Sequence, residues 1–304
     1  MNKFTKISLC LCLLATVLFS ACEKEYDSIE TIDDAAIQAF VKASSVKYTK
    51  DTKGYYYSIT NPGTGAAVKN SDSVFYSYKF KTLNGQLLNQ TSDFFIPGTF
   101  LGYTDQFTIS GTSYLLTPVR EVLSKLNRGG TASLILPSNL AFGKNGLSGI
   151  NVGSNENILV ELGLYTESKI HDINELELNN FIRSNNLTAI KDPTRVRYIV
   201  TQQGTGDQVL SSSTISVNYT GRLLTGTVFN PATTAPVSFK LAETITGWGI
   251  LKNFKAGTKL RLFIPSDLGY GQIGSIDQTT GRPDGRIPSN MDLDFDIEIV
   301  SVTN

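Results

Sequence analysis

The chain has 304 residues, which predicts two domains at about 150 residues each. Its composition, with 40% hydrophobic and 18% charged residues, is typical of globular proteins. The 27 basic and 27 acidic side chains balance to a formal net charge of zero, so nothing favours nucleic acid as a partner, and we expect none.

The first residues have the pattern of an export signal. A basic stretch, residues 1–6 with lysines at 3 and 6, precedes an apolar run, residues 7–20, that is too short for a comfortable transmembrane helix. The run ends in Leu-Phe-Ser-Ala before Cys22, which resembles the lipobox of bacterial lipoproteins. The resemblance implies removal of residues 1–21 and a lipid on Cys22, which anchors a chain to a membrane without spanning it. An ordinary secretory signal that contains a cysteine is the alternative.

The cysteine count agrees with export of a chain without disulfides. Cys10 and Cys12 lie inside the predicted signal, so only Cys22 would remain in the mature chain. We therefore expect neither a disulfide nor a thiolate metal cluster. Residues 22–31 are predicted to form a polar tether.

The rest of the chain repeats itself. Residues 32–40 are similar to residues 173–181, Gly63 corresponds to Gly204, and Tyr78 corresponds to Tyr219, always at a spacing of 141 residues. A constant spacing over such a length indicates duplication, and the unit is too long for a solenoid repeat. We predict tandem domains over residues 32–167 and 168–304.

The only histidine, His171, lies at the predicted junction between the two copies. Neither copy has a histidine in its body, which excludes Ser-His-Asp triads, Cys-His pairs and histidine-based zinc sites. A solvated linker side chain is the expected role of His171.

The first copy is predicted to open with a helix and to continue mainly as strands. Alternating apolar residues over 74–80, 132–136 and 158–164 predict strands. Thr117 and Pro118 have the residue types of an N-cap and first turn, which predicts a short helix that ends near Gly129.

The second copy follows the same plan. We predict an amphipathic helix capped by Asn174, strands over 195–202, 214–220 and 260–264, and a short helix over 247–254. In the last strand, apolar residues at 293, 295, 297 and 299 alternate with four carboxylates, which we interpret as a solvated strand face and not a cation site. Antiparallel strands with one short helix against a face predict an α+β fold with a curved sheet.

Five ordered motifs of the second copy resemble one family, the FKBP-type peptidyl-prolyl isomerases. They are Val-Asn-Tyr-Thr-Gly at 217–221, Gly-Thr-Val-Phe-Asn at 226–230, Ile-Thr-Gly-Trp at 245–248, Ile-Pro-Ser-Asp-Leu-Gly-Tyr-Gly at 264–271, and Ile-Pro-Ser-Asn at 287–290 followed by Leu-Asp-Phe-Asp-Ile-Glu. The resemblance covers about residues 197–303. It implies two FKBP-like domains, each a curved antiparallel sheet wrapped on a short α-helix and preceded by an N-terminal helix.

The resemblance also implies a prolyl pocket with Trp248, the only tryptophan, as its floor. In this interpretation the Ile245 N–H and the Tyr270 hydroxyl donate hydrogen bonds to substrate carbonyls. The implied catalytic residues are Tyr219, Phe229, Asn230, Ile245, Trp248, Tyr270 and Phe295. The implied substrate-binding residues are Phe239, Thr244 and Ile287. No metal and no cofactor is implied.

Two positions depart from the family pattern. Asn230 stands where the family has an aspartate, so the negative charge is missing. The loop at 272–286 is longer than the family minimum, and it borders the expected pocket, so substrate preference does not transfer.

The first copy keeps the pattern of the fold but loses the pocket residues. Leu116 corresponds to Ile245, Val119 to Trp248, Phe142 to Tyr270 and Val160 to Phe295, while Leu88 and Asn89 replace Phe229 and Asn230. We expect this domain to be inactive.

The predicted function is a peptidyl-prolyl cis-trans isomerase that assists folding of exported envelope proteins through its second domain. The predicted partners are prolyl-containing polypeptides and, through the lipid, a membrane of the cell envelope, the outer membrane above all, facing either the periplasm or the exterior. A non-catalytic chaperone or peptide-binding scaffold is the main alternative, and an all-β surface lipoprotein that binds glycan is a more distant one.

Overall fold

The computed structural model describes residues 27–109, 112–233 and 235–304. The predicted signal peptide and the predicted lipidation site at Cys22 lie outside these residues. Within the described ranges, no helix is both long and apolar enough to cross a membrane.

Sixteen strands and three α-helices are described, and they fall into two similar sets. The strands of the first unit are β1 (Thr49–Lys50), β2 (Tyr56–Asn61), β3 (Ser73–Thr82), β4 (Leu87–Gln90), β5 (Gly98–Phe100), β6 (Gln106–Ile109), β7 (Thr112–Leu115), β8 (Thr131–Leu136) and β9 (Ile158–Leu164). The strands of the second unit are β10 (Ile190–Lys191), β11 (Arg197–Gln202), β12 (Thr214–Leu223), β13 (Val228–Asn230), β14 (Val237–Lys240), β15 (Lys259–Ile264) and β16 (Leu293–Thr303).

Each unit is built on a seven-stranded antiparallel sheet, and the two sheets have the same order. The first runs β1-β2-β8-β9-β3-β4 with β5 also paired to β3, and the second runs β10-β11-β15-β16-β12-β13 with β14 paired to β12. The hairpin β6–β7 of the first unit forms a separate small sheet. The predicted α+β class is confirmed, and the exact boundary between residues 167 and 168 stays a prediction.

The helices are α1 (Ile29–Ala43), α2 (Thr117–Leu123) and α3 (Ile170–Ser184), and their presence argues against the all-β alternative. α1 and α3 open the two units, and α2 is the predicted short helix of the first. Its counterpart in the second unit, Thr246–Asn253, is a 3-10 helix and not the predicted α-helix. Gly247 and Gly249 lie within it, and each glycine disfavours an α-helix by about 1 kcal/mol relative to alanine.

Each sheet buries both faces, because successive strand residues point to opposite sides. On β8, Leu134 and Leu136 belong to the main core of the first unit, whereas Ile135 packs with Ile37 of α1. On β15, Phe263 likewise packs with Phe181 of α3 while its neighbours face the main core. The opening helix of each unit therefore covers the sheet face opposite the short helix.

Two helix starts differ from the predictions. α1 begins at Ile29, inside the predicted tether, because the Ser28 hydroxyl accepts the N–H of Thr31 and caps the helix. α3 begins at Ile170, so Asn174 is an interior helix residue and His171 belongs to the first turn. Asn174 is fully buried, and its Oδ1 accepts a hydrogen bond from the Ser266 hydroxyl at 3.0 Å.

The row of carboxylates near the last strand is not the solvated face that the alternation predicted. Asp292 and Asp294 are buried, whereas Asp296 is exposed and Glu298 is half-buried. Asp294 accepts two hydrogen bonds from Arg261, both at 2.8 Å, and one from Arg222 at 3.1 Å. Buried carboxylates of this kind need partners, and these come from β12 and β15 on either side.

Candidate active site

Nine of the predicted site residues line one cavity of the second unit, with a volume of about 210 Å³. Four strands, the start of the 3-10 helix and the turn after β15 each contribute to its wall. The lining residues are Tyr219 on β12, Phe229 and Asn230 on β13, Phe239 on β14, Glu243, Thr244, Ile245, Trp248, Tyr270, and Phe295 on β16.

Trp248 lies at the centre of the aromatic wall and is only 4% exposed. Its ring meets those of Tyr219, Phe295 and Phe239 edge to face, at centroid distances of 5.3, 5.5 and 5.6 Å. Edge-to-face contacts of this kind are the favoured aromatic geometry. The indole N–H has no hydrogen-bond partner among the described residues, so the ring is held by packing alone.

The glycine before Trp248 allows the helix to approach the sheet. A Cβ at Gly247 would lie 2.3 Å from Cγ2 of Ile264 on β15, which is closer than any side chain allows. Gly247 therefore fixes how closely the Trp248 ring approaches the strands, and this explains the Gly-Trp pair of the motif.

Three polar groups of the cavity wall are free to act as donors. The Tyr270 hydroxyl and the Ile245 N–H donate to no group in the described part of the chain, and Tyr270 is 38% exposed. Burial raises the pKa of Tyr270, so its hydroxyl stays protonated at neutral pH. Asn230 donates its amide N–H to the Tyr219 hydroxyl oxygen at 2.5 Å, which leaves the Tyr219 O–H available.

Three lining or predicted residues have roles that the sequence did not indicate. Ile287 is buried in the core and does not line the cavity; its N–H donates to the Ser275 hydroxyl at 2.8 Å, which anchors the long loop. The Thr244 hydroxyl donates to the Leu241 carbonyl at 2.7 Å. Glu243 was not predicted, and it adds an exposed acid at the rim, paired with Lys240.

Gly221 is the residue of this site whose importance the sequence analysis missed. It lies opposite Phe295 on the neighbouring strand, and a Cβ at this position would lie 2.5 Å from the Phe229 ring and 3.0 Å from Phe295. The absence of a side chain at Gly221 makes room for both rings. The signal was present in the repeat, because the first unit has Phe80 at this position.

The corresponding region of the first unit is filled. Phe80 on β3 is paired with Val160 on β9. The corresponding pair of the second unit is Gly221 on β12 and Phe295 on β16, so the larger residue of the pair lies on the opposite strand there. The Phe80 ring stacks on Tyr78 at 4.6 Å and is fully buried. Leu116, Val119 and Val160 are also fully buried, so these positions form closed core and not an open wall.

A larger cavity, of about 630 Å³, lies in the first unit between α1 and the loop around Gly54. Its polar side chains bind one another: Asp34 accepts hydrogen bonds from Lys50 at 2.5 Å and from Tyr56 at 2.9 Å. None of the predicted site residues lines it. In the described ranges, no group of three or more His, Cys, Asp or Glu residues is arranged to hold a metal ion.

Comparison with known families matches residues 206–300 to the FKBP-type peptidyl-prolyl cis-trans isomerases. The matched range holds every residue that lines the 210 Å³ cavity.

Curated relatives resemble the same part of the chain. The FKBP-type peptidyl-prolyl cis-trans isomerase FkpA of Escherichia coli (strain K12) is 40% identical over 108 residues, which are 34% of this chain and 37% of that protein. Outer membrane protein MIP of Legionella longbeachae is 35% identical over 113 residues, 36% of this chain and 45% of that protein. The chain thus spans less than half the length of these relatives.

A solved peptidyl-prolyl cis-trans isomerase from Pseudomonas syringae pv. tomato is 27% identical to this chain, with a TM-score of 0.38. It covers 46% of this chain and 99% of its own.

Proposed function

We propose that this chain is a peptidyl-prolyl cis-trans isomerase that acts through its second unit. One observation carries the proposal: a cavity of about 210 Å³ has Trp248 as its floor, an aromatic wall and unpaired hydrogen-bond donors at its mouth. Its dimensions and chemistry suit a prolyl ring with its flanking peptide carbonyls.

The chemistry needs no nucleophile, because isomerisation breaks no covalent bond. Rotation about the bond before proline must overcome the loss of amide resonance, a barrier of about 18–20 kcal/mol. A catalyst lowers this barrier by binding the twisted amide more tightly than the planar one. The twisted carbonyl is less polar than the planar amide, so the apolar enclosure around Trp248 favours it.

The free donors orient the rest of the peptide. In the proposed complex the Ile245 N–H and the Tyr270 hydroxyl each bind a backbone carbonyl next to the proline. The Asn230 amide donates to the Tyr219 oxygen, which a carboxylate at this position would not do. Tyr219 therefore keeps its own hydroxyl hydrogen for a group in the pocket, and this compensates for the missing aspartate.

The first unit is proposed to have no isomerase activity of its own. The fully buried Phe80, Leu116 and Val119 occupy the space that an open pocket would need. The chain then has one active site, and its first unit has a structural or binding role.

An envelope location is part of the proposal. It is supported by the lipobox-like sequence before Cys22 and by the similarity to Outer membrane protein MIP of Legionella longbeachae. A lipid at Cys22 would hold the isomerase near exported polypeptides, which are its proposed substrates.

The test is a prolyl-isomerisation assay on the chain without residues 1–22. Trp248→Ala removes the floor that the prolyl ring contacts, and we expect kcat/KM to fall by about 100-fold, which corresponds to about 2.8 kcal/mol of transition-state binding. Tyr270→Phe removes one hydrogen bond and is expected to lower kcat/KM by about two- to tenfold.

Val119→Ala is the matched control, because Val119 occupies the position of Trp248 in the first unit. It is expected to lower thermal stability while kcat/KM stays unchanged. A wild-type chain that binds prolyl peptides without turnover would support the non-catalytic chaperone or scaffold, and a chain that does neither would refute the assignment of the pocket.

A further inference from the structure

The two units contact each other through a short part of the first unit, residues 92–97, here called the docking segment. The Phe94 ring meets the Phe181 ring of α3 edge to face at 5.3 Å. Phe95 packs against the main core of the second unit, and Ile96 is buried beside Ile173. Three consecutive side chains of the first unit are thus held by the second.

A buried carboxyl group of α3 receives the backbone of this segment. The Ile96 N–H donates to Oε1 of Glu177 at 2.5 Å, and Glu177 is 1% exposed. The corresponding position of α1 is Ala36, 141 residues earlier, so the shared fold does not require an acid here. A buried acid in this place indicates a role that only the second unit has.

The hydrogen bonds continue from α3 to the wall of the candidate pocket. Asn174 and Asp292 both lie beside Glu177. Asn174 Oδ1 accepts the Ser266 hydroxyl at 3.0 Å, and Asp292 Oδ1 accepts the Ser266 N–H at 2.7 Å. The Ser266 carbonyl in turn accepts the N–H groups of Gly269 at 3.0 Å and Gly271 at 2.8 Å, the two residues that flank Tyr270.

Three buried polar atoms at the centre of this series have no hydrogen-bond partner in the described residues: the oxygens Glu177 Oε2 and Asp292 Oδ2, and the donor Asn174 Nδ2. Burial raises the pKa of Glu177 to about 8 and raises that of Asp292 well above its usual range, so the two acids hold a proton at neutral pH. That proton adds a donor for the two unpaired carboxyl oxygens.

We propose that Glu177 is a positioning residue, which transmits docking of the first unit to the placement of Tyr270 at the prolyl pocket. This inference rests on the proposed function of that pocket. The first unit then supports the active site of the second through one buried hydrogen bond, although its own pocket is closed.

The variants to compare in the chain without residues 1–22 are Glu177→Ala, Glu177→Gln and Phe94→Ala. Glu177→Ala leaves the Ile96 N–H without an acceptor, and we expect kcat to fall about three- to tenfold. Glutamine keeps the acceptor and adds an N–H towards Asp292, so it should retain the wild-type kcat. Phe94→Ala weakens docking from the first unit and should reproduce the loss without any change in the second unit.

A double variant tests whether the effect passes through Tyr270. If it does, Glu177→Ala causes little further loss once Tyr270→Phe is present, because coupled residues are not additive. Fully additive losses, or a wild-type kcat in Glu177→Ala, would overturn the proposal.

Amide hydrogen exchange makes the test independent of activity. Faster exchange at Gly269 and Gly271 is expected in Glu177→Ala and Phe94→Ala, but not in Glu177→Gln. If the wild-type chain has no isomerase activity, the proposed function fails, and exchange alone decides the coupling. Unchanged exchange at Gly269 and Gly271 in both alanine variants would refute the coupling between docking and the placement of Tyr270.

Discussion

At the scale of single residues, the difference between the two pockets depends on one pair of positions. The second unit has Gly221 opposite Phe295, and the first has Phe80 opposite Val160. We predict that Gly221→Phe abolishes binding of prolyl peptides and costs about 1–3 kcal/mol of stability through overpacking. Isothermal titration with a prolyl peptide and thermal unfolding measure the two effects.

The double variant Gly221→Phe with Phe295→Val serves as the control. It recreates the pair of the first unit, so we expect it to recover stability while binding stays lost. Recovered binding would show that the filled space in the first unit does not explain a closed pocket.

Much of this site could be predicted from the sequence, because the ordered motifs bring their aromatic residues to one wall. The importance of Gly221 was not predicted, because it depends on which residue is paired with it on the neighbouring strand. The register between strands cannot be read from the sequence of one strand. Ile287 does not line the cavity, because its side chain is buried in the core of the second unit. The role of Glu177 could not be predicted either, because its hydrogen-bond partner, the Ile96 N–H, is 81 residues away in the sequence.

At the scale of the elements, Arg261 stabilises the packing of α3 against its sheet. The Arg261 guanidinium lies 5.0 Å from the Phe263 ring centroid and 5.9 Å from that of Phe181, and it binds the buried Asp294. We predict that Asp294→Asn destabilises the protein by about 2–3 kcal/mol, somewhat below the cost of breaking a fully buried ion pair because both arginines are partly exposed. Urea unfolding measures this change.

Asp296→Asn is the matched control, because Asp296 lies on the same strand two residues away and also binds Arg222, but is exposed. We expect it to change stability by less than about 1 kcal/mol. Equal losses in the two variants would contradict a special role for the buried carboxylate.

The strands were predictable because alternation of apolar residues marks a buried face. The sequence could not predict whether the other face of the strand is solvated. Burial of Asp294 depends on arginines from two neighbouring strands and on the helix that covers them. The close approach of Ile264 to Gly247 is likewise a contact between distant parts of the chain that no local pattern shows.

At the scale of the whole molecule, the buried acid pair makes stability depend on pH. Burial raises the pKa of Glu177 from 4.5 to about 8, so the folded chain keeps a proton that the unfolded chain releases. Stability is therefore expected to fall as pH rises from about 4.5 to about 8. The pair also interacts electrostatically with four other titratable groups, which are Arg195, Arg197, Asp267 and Tyr165.

Urea unfolding at a series of pH values measures this dependence. Glu177→Gln, which cannot ionise, should reduce the slope in this range. An unchanged slope in that variant would assign the dependence to other groups.

The single tryptophan of this chain lies at the floor of the candidate pocket, against three other aromatic rings. The intrinsic emission of the protein at tryptophan wavelengths therefore originates from one known place. A ligand that enters the cavity displaces water from that ring and changes its spectrum, while binding elsewhere leaves it unperturbed. The unlabelled protein thus carries its own optical probe, with which candidate peptides can be screened for occupancy of this pocket.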